Sequence, residues 1–428
     1  MPVQGRTRKE LRQSIGYNLG ALKTGTAYDA GSTTTLIDTN IVGGDDSHNG
    51  KWIIVSDTSN SSNVETRLIS DYTSSAYRLT LQKALSFSTA AGDTYEIWDE
   101  PYDPAIIHDF INQAIIDATG QVYDPIENPD MSSSPHTALF ADGKTLRFDI
   151  PSNISIINRL YYRSSVSFTS LHSCNSAFDE TVDSDITVTV DTQDKKQGTG
   201  SNKFVIAAGA SAGDIATDSI TSKDISKYDY LEGWIKSTVA TSAGNLKILL
   251  DDSASCASPI ETLSVPALSA DTWTYFRVAL ANPETDTAII SIGLEYDSDL
   301  GACQVRLDDL KVVQNDTAIW EIFPKHLWKI DRSSRDLILT DSGKFEAGYT
   351  MLKITGGDKP ALLSADTTSS EVDDSYIIAR ATGLAFAASS GGSNTDPDQK
   401  RQQAAFWLGL AEQAKRAFPL LITGRVVE

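Results

Sequence analysis

Cysteine, methionine and histidine are scarce in this chain. Its 428 residues include three cysteines, three methionines and five histidines. Cys174, Cys256 and Cys303 form neither a metal-binding spacing nor an even-numbered disulfide framework, and the histidines are scattered singly. Cys256 and Cys303 could form a disulfide if they lay on facing strands, but free cysteines are usually buried, and we favour buried thiols here. We therefore expect no zinc-type ligand cluster.

Long apolar runs are also missing. No run reaches the roughly 20 residues that a membrane-spanning helix needs, and the N-terminal residues MPVQGRTRKELRQ are basic without an apolar segment after them. We expect neither membrane insertion nor export. The share of 40% hydrophobic and 22% charged residues is typical of a folded globular protein. The length predicts roughly two to four domains.

Catalytic signatures are absent as well. Carboxylate-rich stretches such as DETVDSD, LLDDS and EYDSD lie in turn-like contexts, where aspartate favours the local backbone geometry. The glycine pairs that begin at positions 43, 356 and 391 lack the strand–loop–helix context of a phosphate-binding motif. No GxSxG or Cys/His signature is present. We expect that the protein is not an enzyme and uses no catalytic cofactor.

Charge is unevenly distributed along the chain. The net charge is −21, yet the first 25 residues contain five basic side chains and one acidic one, Glu10. A basic arm on an acidic body can reach an acidic neighbouring subunit or a polyanion, and a solvated terminus is an equally good interpretation. The basic residues of this arm are Arg6, Arg8, Lys9, Arg12 and Lys23.

Four segments have the apolar spacing of amphipathic helices. They cover residues 8–22, 103–119, about 370–390 and 396–418. Thr7 and Glu10 form a capping-box pattern, and Asp103-Pro104 and Asp396-Pro397 each place an N-cap residue before a proline. Because two helices cannot cover both of their apolar stripes, we predict that all four form one bundle made from both ends of the chain.

The remaining segments alternate as β-strands do. Residues 27–101 contain five short strand-like runs, which predict a small β-barrel-like domain. Residues 171–316 contain seven such runs with polar turns between them, which predict an inserted jelly-roll β-sandwich. The predicted fold class is therefore α+β, with a helical bundle, a small barrel and an inserted sandwich.

The predicted division of the chain follows these segments. Its parts are an arm and helix (1–26), a small β domain (27–101), a bundle helix (102–122), a loop and β segment (123–170), the sandwich (171–316), a second β segment (317–368), the C-terminal helices (369–419) and an extended tail (420–428). The two β segments that flank the sandwich would belong to one small sheet.

The sandwich resembles carbohydrate-binding modules of the β-sandwich type. The resemblance lies in the order GWIKS, KILLDD, DTWTYFRVAL and VRLDDLKVV. In that family an acidic pair near the last strand can hold a structural calcium ion, which implies Asp308 and Asp309 as ligands here. Trp234 and Trp273 fall where core residues are expected, so the sequence shows no clear run of exposed aromatic residues for sugar stacking.

The helical segments, together with the C-terminal tail, resemble the head-to-tail adaptor (neck or connector) proteins of tailed bacteriophages. The resemblance lies in RKELRQSIGYNLGAL, YDPAIIHDFINQAIIDATG and the helices between Tyr376 and Phe418. It implies a virion structural protein, made in the host cytoplasm, that forms a ring of about twelve copies. The ring would join the portal protein to a tail or nozzle protein, and the genome DNA would pass through its lumen without specific binding.

The adaptor resemblance also implies a set of contact residues. They are the basic arm, the last helix and the tail, which we expect to meet the portal or tail: Arg6, Arg8, Lys9, Arg401, Trp407, Lys415, Arg416, Leu421, Ile422 and Val426. An alternative function is that of a tail-spike, fibre or secreted protein that binds a host-surface glycan through the sandwich. A glycoside hydrolase is a third hypothesis, and no membrane partner is expected.

Overall fold

The computed structural model describes residues 5–118, 124–130, 133–389, 396–416, 418 and 425–426. The chain divides into two compact units. The terminal unit contains Met1–Asp124 and Lys359–Leu421, and the central unit contains Pro125–Asp358 and Ile422–Glu428. The finer eight-part division stays a prediction.

Five α-helices lie within the described ranges. They are α1 (Arg8–Leu19), α2 (Pro104–Ala118), α3 (Asp341–Ala347), α4 (Asp374–Ala388) and α5 (Pro397–Lys415).

The strands are more numerous. In chain order they are β1 (Leu22–Thr26), β2 (Asp29–Ser32), β3 (Thr35–Ile37), β4 (Trp52–Ser56), β5 (Val64–Thr73), β6 (Arg78–Leu81), β7 (Thr94–Trp98), β8 (Asp124–Asn128), β9 (His136–Asp142), β10 (Arg147–Asp149), β11 (Ile156–His172), β12 (Thr181–Val182), β13 (Ile186–Asp191), β14 (Ser201–Ile206), β15 (Asp214–Lys223), β16 (Tyr230–Ser237), β17 (Leu246–Asp251), β18 (Glu261–Ser264), β19 (Thr274–Ala279), β20 (Ile289–Tyr296), β21 (Cys303–Ile322), β22 (Trp328–Asp331), β23 (Asp336–Leu339), β24 (Tyr349–Asp358) and β25 (Arg425–Val426).

The helix ends follow the capping signals in the sequence. The Thr7 hydroxyl accepts from the Glu10 backbone N–H, and the Glu10 carboxylate accepts from the Thr7 backbone N–H at 2.8 Å. This reciprocal capping box satisfies two donors at the start of α1. The helix ends at Gly20, whose φ of 65° is in the left-handed region that glycine adopts without strain. The predicted helix of residues 8–22 is therefore three residues shorter in the structure.

The terminal unit contains a seven-stranded sheet in the order β1-β7-β4-β5-β6-β3-β2. Ala27 and Tyr28 join its two edge strands, β1 and β2, so the sheet curls back on itself. Its inner face buries an apolar cluster that includes Leu36, Ile53 and Ile97. The strand runs of residues 27–101 lie in this sheet, which also includes β1, and a separate small β domain with these bounds stays a prediction.

The predicted fold class is wrong. The structure is 42% strand and 20% helix, and within the described residues no helical bundle formed by the two ends of the chain is shown. The helices of the terminal unit bury their apolar stripes in a cluster that also contains Leu22 and Trp98 of the sheet. Helical periodicity predicts that a stripe will be buried, but it does not say which elements cover it.

The central unit contains the predicted β-sandwich. One layer is the five-stranded sheet β12-β15-β20-β17-β18, and the other includes β13, β14, β21, β16 and β19. Side chains alternate along these strands, so Leu231 and Ile235 of β16 face Ile248 and Ile292 of the opposite layer in one buried cluster. Cys174, Cys256 and Cys303 are buried free thiols.

The second layer of the sandwich continues into a closed ring of six strands. The ring runs β21-β16-β19-β9-β24-β11 and closes because β11 pairs with β21. The 20-residue strand β21 serves both parts: its first residues pair with β14, and its later residues pair with β11. The face of β16 and β19 that points away from the sandwich core is therefore enclosed by other strands of the same chain. We call this closed ring the six-stranded barrel.

Within the described ranges, the helices are all too short or too polar to cross a membrane.

Candidate functional site

A groove of about 420 Å³ opens on the surface of the central unit. We call it the aromatic groove and define it by Phe140, Trp234, Trp273 and Tyr275, with polar groups around them. The polar residues come from five separate segments: Asn128, Thr137, Thr145, Arg147, Asp149, Lys196, Thr272 and Thr274. A concave surface with aromatic walls and a few converging polar groups has the composition of a small-ligand site.

Trp273 is the partly exposed aromatic residue of this groove. Its indole N–H donates to Asp194 Oδ1 at 2.6 Å, and Asp194 Oδ2 in turn accepts from Lys236 Nζ at 2.9 Å. Burial raises the pKa of Asp194, but the hydrogen bonds from Lys236 and Trp273 outweigh it and hold this pKa below its usual value. The acceptor thus stays charged at neutral pH and fixes the orientation of the Trp273 ring.

Trp234 lies deeper and has little free surface. It is 4% exposed, and its indole N–H donates to the Tyr349 hydroxyl at 2.7 Å. The Lys196 ammonium lies 4.4 Å from the centre of the ring and pairs with Asp142 at 2.9 Å. One ring face is therefore already covered by a cation. Trp234 is a core residue, as predicted, whereas Trp273 is not fully buried.

A charged network supports the groove from inside the six-stranded barrel. Glu232 is fully buried and accepts two hydrogen bonds from Arg163, at 2.8 and 2.7 Å. The Tyr275 hydroxyl donates to the same carboxylate at 2.7 Å, and Arg277 Nε lies 3.7 Å from it. Burial opposes ionisation, but Arg163 above all lowers the pKa of Glu232 to about 2. The hydrogen bond from Tyr275 to Glu232 therefore fixes the position of an aromatic ring of the groove.

The structure separates the two aspartates predicted as calcium ligands. Asp308 is buried, and its Oδ2 accepts from the backbone N–H groups of Lys196 and Gln197 at 2.7 and 2.9 Å. Asp309 Oδ2 is engaged by Lys311 and Tyr349, at 2.9 and 3.1 Å. The described part of the chain holds no group of three His, Cys, Asp or Glu side chains suited to a metal ion.

One feature of Asp308 does fit a cation. Its Oδ1 is buried without a hydrogen-bond partner, and carboxylate oxygen is a preferred calcium ligand. Burial is the main reason that the pKa of Asp308 rises to about 6. A structural calcium ion at Asp308 therefore stays a proposal, with Asp309 held by other partners.

The basic arm predicted to meet a portal is engaged by its own unit. Arg8 pairs with Asp366 at 2.8 Å, and Lys9 Nζ donates to Thr94 at 3.3 Å. The backbone N–H of Arg6 donates to Asp374. These residues are part of the packed terminal unit rather than a free arm.

The other predicted contact residues lie along α5 or in the tail. Arg401 and Arg416 are exposed, whereas Trp407 and Lys415 are partly buried. Leu421 and Ile422 lie outside the described residues. Val426 belongs to β25, which pairs with β11 of the same chain. A portal or tail contact at these positions stays a prediction.

The sequence analysis assigned Arg12 no role beyond its membership of the basic arm. In the structure it is fully buried and bonds to Glu96 and Asp366 at 2.7 and 2.8 Å. It also contacts His108 Nε2 at 2.7 Å. Burial first, and then the charge of Arg12, lower the pKa of His108 to about 4, so the imidazole is neutral and accepts from the guanidinium. No local pattern links these residues, which come from four separate segments of the chain.

No protein-family model matches this chain, and no curated protein matches it. Parts of the chain are similar to solved carbohydrate-binding modules. A family 11 module from Clostridium thermocellum, in complex with a β-1,3-1,4-mixed-linked tetrasaccharide, is 14% identical; the match covers 35% of this chain and 97% of that one, with a TM-score of 0.26. The xylan-binding CBM22-1 domain of Paenibacillus barcinonensis Xyn10C is 14% identical over 35% and 96% of the two chains, with a TM-score of 0.24.

These similar structures belong to the class that the sandwich sequence resembles. They lend no support to the adaptor resemblance. Because each TM-score is well below 0.5, the similarity does not carry an argument about binding in this chain.

Proposed function

We propose that this protein binds a glycan in the aromatic groove of the central unit. The observation that supports the proposal is the partly exposed ring of Trp273, which Asp194 holds in a fixed orientation beside hydroxyl, amide and carboxylate groups. A sugar ring presents an apolar face and a rim of hydroxyls. A fixed aromatic surface with polar neighbours complements both parts and loses little side-chain entropy on binding.

The charges around the groove favour an uncharged glycan. Lys196 pairs with Asp142, and Arg147 pairs with Asp336 at 2.8 Å. Each cation already has a carboxylate partner, so neither leaves an unbalanced charge for an acidic sugar. Neutral sugars can still use these groups as hydrogen-bond donors. Binding rather than turnover is proposed, so the protein should not release reducing sugar from the glycan that it binds.

Replacing Trp273 by alanine should weaken glycan binding at least about tenfold, because the stacking surface is removed. The test is a glycan array of the whole chain, followed by calorimetric titration of the strongest hit with both proteins. Phe345→Ala is the matched control, since Phe345 is an aromatic residue of the same unit, 87% exposed, in a different groove. Unchanged binding in Trp273→Ala would refute the proposal for this groove.

The adaptor function is a second proposal, favoured by one observation. Phe406 on α5 is 61% exposed, and Arg401 and Arg416 of the same region are also exposed. Aromatic and arginine side chains are enriched at protein–protein contacts. The partners proposed are further copies in a ring, a portal protein and a tail protein, and the proposed location is the virion neck.

Removal of residues 420–428 tests the role of the tail in this second proposal. The truncation deletes β25, which pairs through Arg425 and Val426 with the edge of β11. We expect a folded protein that no longer assembles with the portal, because a strand of two residues adds little to the stability of the sheet. Negative-stain microscopy of full-length and truncated protein with purified portal is the measurement. Rings that form equally well with the truncated protein would exclude the tail from assembly.

A further inference from the structure

One loop supplies two of the side chains that shape the aromatic groove. Residues 192–200 connect β13 to β14, and we call them the groove loop. Asp194 of this loop accepts from the indole N–H of Trp273, and the Lys196 ammonium lies over the ring of Trp234. The groove loop therefore determines which aromatic surface a ligand meets, because it fixes one ring and covers a face of the other.

Asp308 holds the middle of the groove loop. Its side chain is fully buried on β21, and Oδ2 accepts from the backbone N–H groups of Lys196 and Gln197, at 2.7 and 2.9 Å. Burial raises the pKa of Asp308 to about 6, so most of the carboxyl groups are charged at pH 7.5. Hydrogen bonds to a charged oxygen are stronger than those between neutral groups. This buried anion therefore sets the position of the loop that presents Asp194.

Asn175 holds the end of the same loop. It lies between β11 and β12, and its Oδ1 accepts from the backbone N–H groups of Thr199 and Gly200, at 2.6 and 3.0 Å. The Thr199 hydroxyl donates to the same oxygen at 2.9 Å. The contact is close, because a Cβ at Gly198, whose φ is 60°, would lie 2.5 Å from Asn175 Oδ1. A loop fastened at two places has few alternative conformations.

We propose that Asp308 and Asn175 are positioning residues of the aromatic groove, which they fix through the groove loop. Neither of them is among the residues that line the groove. Release of the loop would let Asp194 leave the indole of Trp273, and a mobile ring loses side-chain entropy when a sugar stacks on it. The expected effect on glycan affinity rests on the proposed function, whereas the expected effect on the Trp273 ring does not.

Solvent exchange of the Trp273 indole N–H in the unliganded full chain tests the positioning role. Asn175→Ala removes an anchor at the surface and should fold, since Asn175 is exposed. The indole N–H should exchange roughly five times faster in this variant and in Asp308→Ala, because Asp194 is no longer held beside the ring. Asn175→Asp and Asp308→Asn each keep an acceptor oxygen and should restore most of the protection. A chelator is present throughout, so that no calcium ion at Asp308 contributes.

Asn245→Ala is the matched control for the loss of an asparagine anchor. Asn245 Oδ1 accepts from the Ser242 backbone N–H at 2.7 Å, in the connection between β16 and β17, and neither residue lines the groove. Exchange of the Trp273 indole should not change in this control. The proposal is overturned if Asn175→Ala leaves this exchange unchanged, if the control accelerates it equally, or if Asn175→Asp exchanges as fast as Asn175→Ala.

Glycan titration of the same variants separates this inference from the proposed function. With the strongest hit of the glycan array, Asn175→Ala should bind roughly five times more weakly than the wild-type chain, and Asn175→Asp should bind as the wild type does. A wild-type chain that binds no glycan refutes the proposed function, while exchange of the Trp273 indole still tests the positioning role. Faster exchange in Asn175→Ala with unchanged glycan affinity would overturn the link between the groove loop and binding.

Discussion

Replacing Glu232 by glutamine should lower the free energy of unfolding of the central unit by about 3–5 kcal/mol. Glu232 is the buried anion of the six-stranded barrel, and it faces Arg163, Arg277 and the Tyr275 hydroxyl. Glutamine has nearly the same shape but no charge. The variant leaves two guanidinium groups in a buried site without a counter-charge, and that cost dominates the loss.

Native-state hydrogen exchange of peptides from the central unit is the measurement, since it separates this unit from the other. Glu127→Ala is the control, because the Glu127 ion pair with Lys353 is at the surface, with the glutamate side chain 48% exposed. Its loss should cost less than about 1 kcal/mol. Equal effects of the two substitutions would show that the Glu232 network does not hold the barrel together.

The same carboxylate predicts how stability depends on pH. The folded-state pKa of Glu232 is about 2, below its ordinary value of 4.5, because Arg163 overcomes the cost of burial. Its contribution is therefore fully present above pH 4.5 and is lost as the pH falls toward 2. The wild-type central unit should lose stability over this window more steeply than Glu232→Gln, and parallel curves would contradict the assignment.

Replacing Arg12 by methionine should have a comparable effect on the terminal unit, again about 3–5 kcal/mol. Arg12 joins α1 to Glu96 of β7 and to Asp366, so the variant leaves the buried Glu96 carboxylate without its cation, whereas Asp366 keeps its pair with Arg8. Arg6→Met is the control, because the Arg6 side chain is 52% exposed and lies 3.9 Å from Asp374. Hydrogen exchange in α1 and β7 should rise strongly in the first variant and little in the second.

The elements that the sequence predicts well are those encoded by neighbouring residues. The α2 segment was expected at residues 103–119 and is observed at Pro104–Ala118, because an N-cap aspartate and a proline define its start. The sandwich strands follow from alternation, which places Leu231 and Ile235 on one face of β16 and Glu232 and Trp234 on the other.

The features that could not be predicted depend on pairing between distant segments. The six-stranded barrel closes only because β9, β24 and β11 come from both sides of the sandwich in the sequence. The aromatic groove has the same origin: Phe140 precedes the sandwich segment, whereas Trp234 and Trp273 lie within it. The sequence predicts Trp273 in the core, but this residue lies just before β19 and is partly exposed.

The helical-bundle prediction shows that helical periodicity does not identify the elements against which a helix packs. Residues of all four stripes lie in one apolar cluster, but that cluster also contains the sheet residues Leu22 and Trp98, and Trp407 of α5 is only partly buried. An apolar stripe has no preference between a helix and a sheet as its partner. Apolar stripes therefore predict the positions of helices more reliably than they predict the fold class.

The most direct test of glycan binding uses the indole N–H of Trp273. The chain has seven tryptophans, so a protein labelled with ¹⁵N-tryptophan gives a spectrum simple enough to assign by a Trp273→Phe variant. Titration with the strongest oligosaccharide hit should shift the Trp273 signal progressively and leave the terminal-unit signals of Trp52, Trp98 and Trp407 unchanged. Binding that moves other tryptophans but not Trp273, or the absence of any bound oligosaccharide, would contradict the account.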